Sequence, residues 1–368
     1  MTIPTAAPHS DIIRWVDFNM HQDHVVVASD RGVRVFNCNP LQECFHLTED
    51  QVGSVKIATI LHRTNLVAIV AGGIRPKFAP NTMMIWDNVK RKFVMEITVP
   101  GGPILNIFLN SSRIVLVQSK KVNIFSLQPT ANLRGEETGY NPAGLAAMGG
   151  ESHSALLAFP FYKCGAVQIL ALENVGTGNS LAPNVIEAHR GEIAALAVNA
   201  GGSLLATGST KGTVIRIFDT RNRHQVNELR RGTDPSTLHC LSFSPCGSYL
   251  AASSDKGTVH IFGTRDKPEG NFWATRKIPF DDTKRSLAQF PLSDDSVAAI
   301  GFIAEDSEER KRQSSGDRAL APMMSVAAIC KSGSFHRFSF NKDGICERQG
   351  FDYLLQLGSE QDFWTSPF

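Results

Sequence analysis

Two adjacent arginines carry the most specific chemistry in this chain: Leu229-Arg230-Arg231-Gly232, at the end of a short stretch that reads as a strand, Gln225–Leu229. Successive side chains on a strand point to opposite faces. Arg230 and Arg231 are therefore expected to look in opposite directions, one toward the repeat before and one toward the repeat after. A guanidinium is permanently charged and grips phosphate or carboxylate through two parallel N–H bonds. The pair predicts two anion sites, back to back. Polar residues accompany each. His189, Arg190, Arg216 and Thr220 lie on the earlier side, and Ser254, Lys256, Thr258 and His260 on the later side. Hydroxyl, imidazole and guanidinium together make the donor set that a phosphorylated head group requires. The competing reading is ordinary surface ion pairs from the two arginines to Glu228 or Asp234.

Repeats must position these residues, and seven copies of one pattern are present. Each has a small-residue turn and then a strand ending in large apolar residues. The copies run through Val35-Phe36, Ile85-Trp86, Ile124-Phe125, Ile169-Leu170, Ile217-Phe218, Ile261-Phe262 and Phe338. Two further apolar columns lie upstream of each copy. A fourth, outer strand is clearest at 93–99 and 225–229. Short strands at a period of about 40 to 50 residues, separated by Gly, Asn and Asp turns, match propeller blades. The expected fold is all-β: one seven-bladed β-propeller of four-stranded antiparallel blades over 1–357, followed by a mobile tail, 358–368. Two insertions break the period. The first, about 263–284, mixes basic residues with Phe272, Trp273 and Phe280. The second, 304–323, is a charge run that reads as a surface loop.

Composition narrows the function classes. The chain has 368 residues, 42% hydrophobic and 20% charged, with a formal net charge of +2. That balance gives no global field for nucleic acid, so anion binding must come from local clustering. The seven cysteines form no Cys-x-x-Cys, and their odd count argues against a disulfide framework or a zinc site. Residues 1–10 lack the pattern of a secretory signal, and no apolar run approaches the ~20 residues that span a bilayer. A reducing, cytoplasmic setting follows, with any membrane met from its surface. No catalytic signature is present: no phosphate-binding glycine loop, no His-Glu-x-x-His, and no calcium loop at Asp343-Gly344, which reads as a hairpin turn. Asp17 is the exception among the inner strands and keeps open a hydrolase built on a propeller. The chain is expected to be no enzyme, to hold no cofactor or metal, and to be a monomer.

The run Glu228–Gly232 followed by Ser254–Phe262 resembles the PROPPIN family, WD-repeat-like seven-bladed propellers that bind phosphoinositides in autophagy. The family hallmark is Phe/Leu-Arg-Arg-Gly between the fifth and sixth blades, and the Leu form stands here. Further likeness lies in residues 71–80 with Met84-Ile-Trp-Asp87, in Leu156-Leu-Ala-Phe-Pro160, and in Gly212-Thr-Val-Ile-Arg-Ile-Phe-Asp219. It covers all seven blades and is nearest to the shorter homologues. The resemblance implies phosphatidylinositol 3-phosphate and phosphatidylinositol 3,5-bisphosphate as ligands. The first site would use Arg230 with Arg216, Thr220, Ser209 and His189, and the second Arg231 with Ser254, Lys256, Thr258 and His260. It places the first insertion where the family has a membrane-inserting loop, so Phe272, Trp273 and Phe280 become candidate anchors. The insertion is short for that role, but basic and aromatic residues together suit the membrane interface. It also implies an autophagic lipid-transfer protein as partner, through Ile74 and the segment Arg75, Pro76, Lys77, Phe78 and Pro80, and a place on phagophore, endosomal or vacuolar membranes. The alternative is a lipid-independent protein-interaction scaffold that binds acidic peptides.

Overall fold

A computed structural model describes residues 11–151, 154–176, 183–264, 284–292, 296–303 and 324–357. Seven sheets form the ring. The first blade comprises β1 (Ile13–Phe18), β2 (His24–Ser29), β3 (Gly32–Cys38) and β4 (Leu41–Thr48), and a single helical turn, α1 (Glu49–Val52), leads out of it. The second holds β5 (Gly53–Ile60), β6 (Leu66–Pro76), β7 (Thr82–Asp87) and β8 (Lys92–Thr98). The third holds β9 (Asn106–Leu109), β10 (Arg113–Val117), β11 (Lys121–Ser126) and β12 (Ala131–Glu137). The fourth holds β13 (Ala147–Gly149), β14 (Leu156–Pro160), β15 (Ala166–Ala171) and β16 (Asn184–Glu187). The fifth holds β17 (Ile193–Val198), β18 (Leu204–Ser209), β19 (Val214–Asp219) and β20 (Gln225–Arg230). The sixth holds β21 (Leu238–Phe243), β22 (Tyr249–Ser254), β23 (Thr258–Gly263) and β25 (Ala288–Pro291). The seventh holds β26 (Val297–Ile303), β27 (Met324–Cys330), β28 (Ser334–Phe340) and β29 (Cys346–Tyr353).

Blade strands pair antiparallel in chain order, as the repeat predicts. One addition was not foreseen. The two-residue strand β24 (Lys284–Arg285), at the end of the first insertion, leaves its own blade and pairs parallel with β20 of the fifth. The middle strands are apolar on both faces because each face packs on a neighbouring blade. Ala206, Ile215, Ile217 and Leu229 meet Leu250, Ala252 and Phe262 between blades five and six. Leu205 and Phe218, on the other face of the fifth blade, meet Ala158, Val167 and Ile186 of the fourth.

The ring closes without strand exchange: the first and seventh sheets are each continuous in sequence. Side-chain packing and a few side-chain hydrogen bonds join them. Val25, Val27 and Phe36 interlock with Ile303, Ile329, Phe335 and Leu354, and the Arg337 guanidinium donates to Asn39 Oδ1 at 3.0 Å. The turn at Asp343-Gly344 is as expected. Gly344 takes φ +84°, a backbone conformation natural to glycine, and its N–H reaches Asn341 O. The expected insertions fall between β23 and β25 and between β26 and β27. The anchors Phe272, Trp273 and Phe280 and the tail 358–368 lie outside the described residues. Among the described residues no helix is long and apolar enough to cross a membrane.

Candidate functional site

Pairing register fixes where the two arginines look. Arg230 lies opposite Val214, Leu229 opposite Ile215 and Glu228 opposite Arg216. Directly opposed residues share a face, so Arg230, Glu228 and Arg216 stand on one side of the blade. Thr207 lies opposite Arg216 on the adjoining strand, and Ser209, two residues on, shares its face. Leu205 and Phe218 on this same face pack on the fourth blade. Leu229 is sealed against the sixth blade, and Arg231, two residues further, turns the same way. Alternation therefore separates the arginines across the fifth blade, as the sequence predicts.

In the cleft between the fourth and fifth blades, Arg216 is fixed from two directions. Its Nε donates to Glu228 Oε2 at 2.8 Å and its Nη1 to the Ala188 carbonyl at 2.6 Å. His189 Nε2 lies 2.9 Å from Thr207 Oγ1. Burial, with the Arg216 charge adding to it, pushes the His189 ring down to about 4, so it is neutral near pH 7. Arg230 is exposed at the outer edge of this face. Beside it β24 adds Arg285, paired with Arg230, and Lys284, paired with Leu229. Sequence reasoning counted Lys284 and Arg285 in the insertion and had no signal for their docking, since two residues are too short for a periodicity.

The cleft between the fifth and sixth blades is tighter. Arg231 is only 9% exposed. Its Nε donates to the Gly212 carbonyl at 2.7 Å and its Nη2 to the Asp234 carbonyl at 2.5 Å. Burial lowers its pKa, against the nearby charges of Asp255 and Asp234. On the sixth blade His260 lies opposite Ala252, and Phe262 opposite Leu250. Those partners pack toward the fifth blade, so His260, and with it Thr258 and Ser254, face Arg231. Burial first, and then the Arg231 charge, push His260 down to about 4. The ring is 7% exposed and its Nδ1 has no hydrogen-bond partner. A buried, unpartnered acceptor or donor beside an arginine is costly, and a ligand oxygen would relieve that cost. Lys256 is exposed on the turn before β23, and its N–H meets Ser254 Oγ at 3.5 Å.

One site residue is corrected. Thr220 follows β19 at the end remote from Arg230, six residues beyond Val214, which is roughly 20 Å along a strand. Its buried hydroxyl donates to the Gly202 carbonyl at 2.7 Å; the residue on this face that bridges His189 is Thr207. The ion-pair reading of the arginines also changes form. Glu228 pairs with Arg216 rather than Arg230, and Asp234 offers Arg231 its carbonyl.

The candidate partner segment lies on the extension of β6. Ile74, Arg75, Pro76, Lys77 and Pro80 are exposed, Ile74 at 66%. Phe78 turns inward, edge-on to Phe93 with ring centroids 5.0 Å apart, and anchors the segment. Arg75 pairs with Glu49 at 3.3 Å, and Lys77 reaches the Asp50 carbonyl. In the central channel Asp17 is pushed up to about 6 by burial. It is the only carboxylate among the described residues lining that channel.

Comparison with known proteins agrees with the geometry. The chain is 35% identical over 358 residues to Ectopic P granules protein 6 of Caenorhabditis elegans, covering 93% of this chain and 87% of that one. It is 30% identical over 289 residues to Autophagy-related protein 18 of Yarrowia lipolytica, covering 74% and 70%. In fold it is similar to Kluyveromyces lactis Hsv2, with a TM-score of 0.74 at 21% identity over 94% of this chain and 100% of that one. The PROPPIN family model matches residues 15–271, the span that holds both arginine-lined clefts, and the chain belongs to the PROPPIN family.

Proposed function

We propose that this protein is a phosphoinositide-binding peripheral membrane adaptor of autophagy. One observation carries the reading. Adjacent arginines part across the fifth blade: Arg231 faces the buried, neutral His260, while on the face that Arg230 shares, Arg216 stands beside the half-buried, neutral His189 and its partner Thr207. Phosphatidylinositol 3-phosphate and phosphatidylinositol 3,5-bisphosphate are the ligands that family membership suggests. The cleft between the fourth and fifth blades would use Arg230, Arg216, His189, Thr207 and Ser209. The cleft between the fifth and sixth would use Arg231, His260, Ser254, Thr258 and Lys256. Each head group offers few contacts, so each site alone is weak. Two on one rigid blade gain by effective concentration, which can raise avidity ~100-fold or more. The molecule would stand edge-on at the bilayer, with the 263–284 insertion toward the lipid and the segment around Ile74 free for an autophagic lipid-transfer protein. A partner of another kind is suggested by a similar propeller, Kluyveromyces lactis Atg21, whose solved complex holds a coiled coil of Atg16.

Flotation on vesicles containing either phosphorylated lipid tests the reading. Wild type should float. Arg230→Thr with Arg231→Thr should stay in solution, and each single variant should fall between them. A double variant that floats like wild type would overturn the proposal. A propeller that bound only acidic peptides would instead capture a partner without lipid.

A further inference from the structure

The turns between first and second strands of four successive blades converge at one mouth of the channel. The first blade contributes His21, the second His62, the third Ser111 and the fourth Glu151. His62 Nδ1 lies 3.2 Å from His21 Nε2 and 3.3 Å from Glu151 Oε1. All three donor atoms fall within 4.8 Å of one another. Donor atoms around a tetrahedral zinc ion, bound at about 2.0–2.1 Å, stand roughly 3.3–3.4 Å apart. Both short edges match that spacing.

Three further observations point to a ligand rather than to a chance cluster. Glu151 Oε1 is sealed from solvent and makes no hydrogen bond, although the His62 ring nitrogen stands 3.3 Å from it. Its other oxygen accepts from Ser111 Oγ at 3.2 Å, which orients the carboxylate as an outer-shell partner does. His62 sits at φ +50°, a conformation few side-chain-bearing residues adopt, and its carbonyl is held by Asn19 Nδ2 at 3.0 Å. The backbone is thus held in a turn from which this ring reaches the other two donors.

We propose that His21 Nε2, His62 Nδ1 and Glu151 Oε1 form a binding site for a divalent transition-metal ion, zinc by geometry and donor set, with the fourth position filled by water. Two imidazoles and a carboxylate with one open place are a known zinc donor set. No metal was expected from the sequence, because it holds neither Cys-x-x-Cys nor His-Glu-x-x-His and its histidines are scattered. These three ligands lie far apart in the chain and meet only when the ring has formed. The ion would clip the first, second and fourth blades at the mouth of the channel. This inference is independent of lipid binding, since β17–β23 contribute no ligand.

The test uses the full chain, stripped with chelator and then titrated with zinc chloride. Wild type should take up one ion per chain, and its melting temperature should rise with zinc. The cobalt-substituted protein should show a tetrahedral visible spectrum without the thiolate band that cysteine ligation would give. His21→Ala with His62→Ala should lose the site, weakening zinc roughly 100-fold or more. His21→Gln alters an exposed ring and serves if the double variant fails to fold; it too should weaken zinc. The proposal is overturned if wild type binds no zinc, if either variant that folds binds zinc as wild type does, or if the cobalt spectrum shows thiolate.

Discussion

Burial holds His189 and His260 each at about 4, against an ordinary value of 6.5. Between those limits the unfolded chain takes up protons that the folded chain refuses. Stability is therefore complete above pH 6.5 and is lost as pH falls toward 4. For the nearly sealed His260 the loss is of order 2 kcal/mol, and it is smaller for the more open His189. His260→Gln should flatten that decline, measured as urea midpoints between pH 7 and 4.5; an unchanged slope would contradict the assignment. The candidate positions were legible from residue type, because arginines, histidine and hydroxyls gathered about one motif form a donor set for phosphate. Thr220 was misplaced because a sequence run does not show which end of a strand a residue occupies. Thr207 was missed because a threonine inside an apolar strand looks like packing.

The turn joining β18 to β19 shows how an element shapes the site. Gly212 stands there at φ +63°, and a Cβ would come within 1.7 Å of the Ser236 carbonyl oxygen. The same residue's carbonyl holds Arg231. Gly212→Ala should therefore cost more than ~1 kcal/mol of stability and should loosen the second cleft. Gly232, in the arginine motif itself, behaves differently: a Cβ there would meet nothing within 4 Å. Gly232→Ala should change the denaturant midpoint by less than ~0.5 kcal/mol equivalent. If it weakens vesicle flotation all the same, the glycine serves access to the backbone rather than the fold. Strand columns were readable from alternation and apolar runs. The pairing of Lys284–Arg285 with β20 was not, because it depends on where an insertion returns rather than on any local pattern.

At the scale of the whole ring, seven repeats were countable in the sequence, but the manner of closure was not, since packing between the first and last blades leaves no pattern in either. Phe36 is fully buried in that seam. Phe36→Ala should cost about 3–5 kcal/mol, and hydrogen exchange should rise first in the first and seventh blades if the seam is where the ring opens. Elsewhere each blade's ladder is written in one uninterrupted stretch of chain, except where β24 departs from the sixth blade to extend the fifth. Residues 53–98 could accordingly be exchanged for a relative's second blade with two cut points and no other ladder disturbed. The fifth and sixth blades share backbone hydrogen bonds across their boundary, so a transplant must carry both as a single cassette, and an ancestor that shuffled blades one at a time would have had to move these two together.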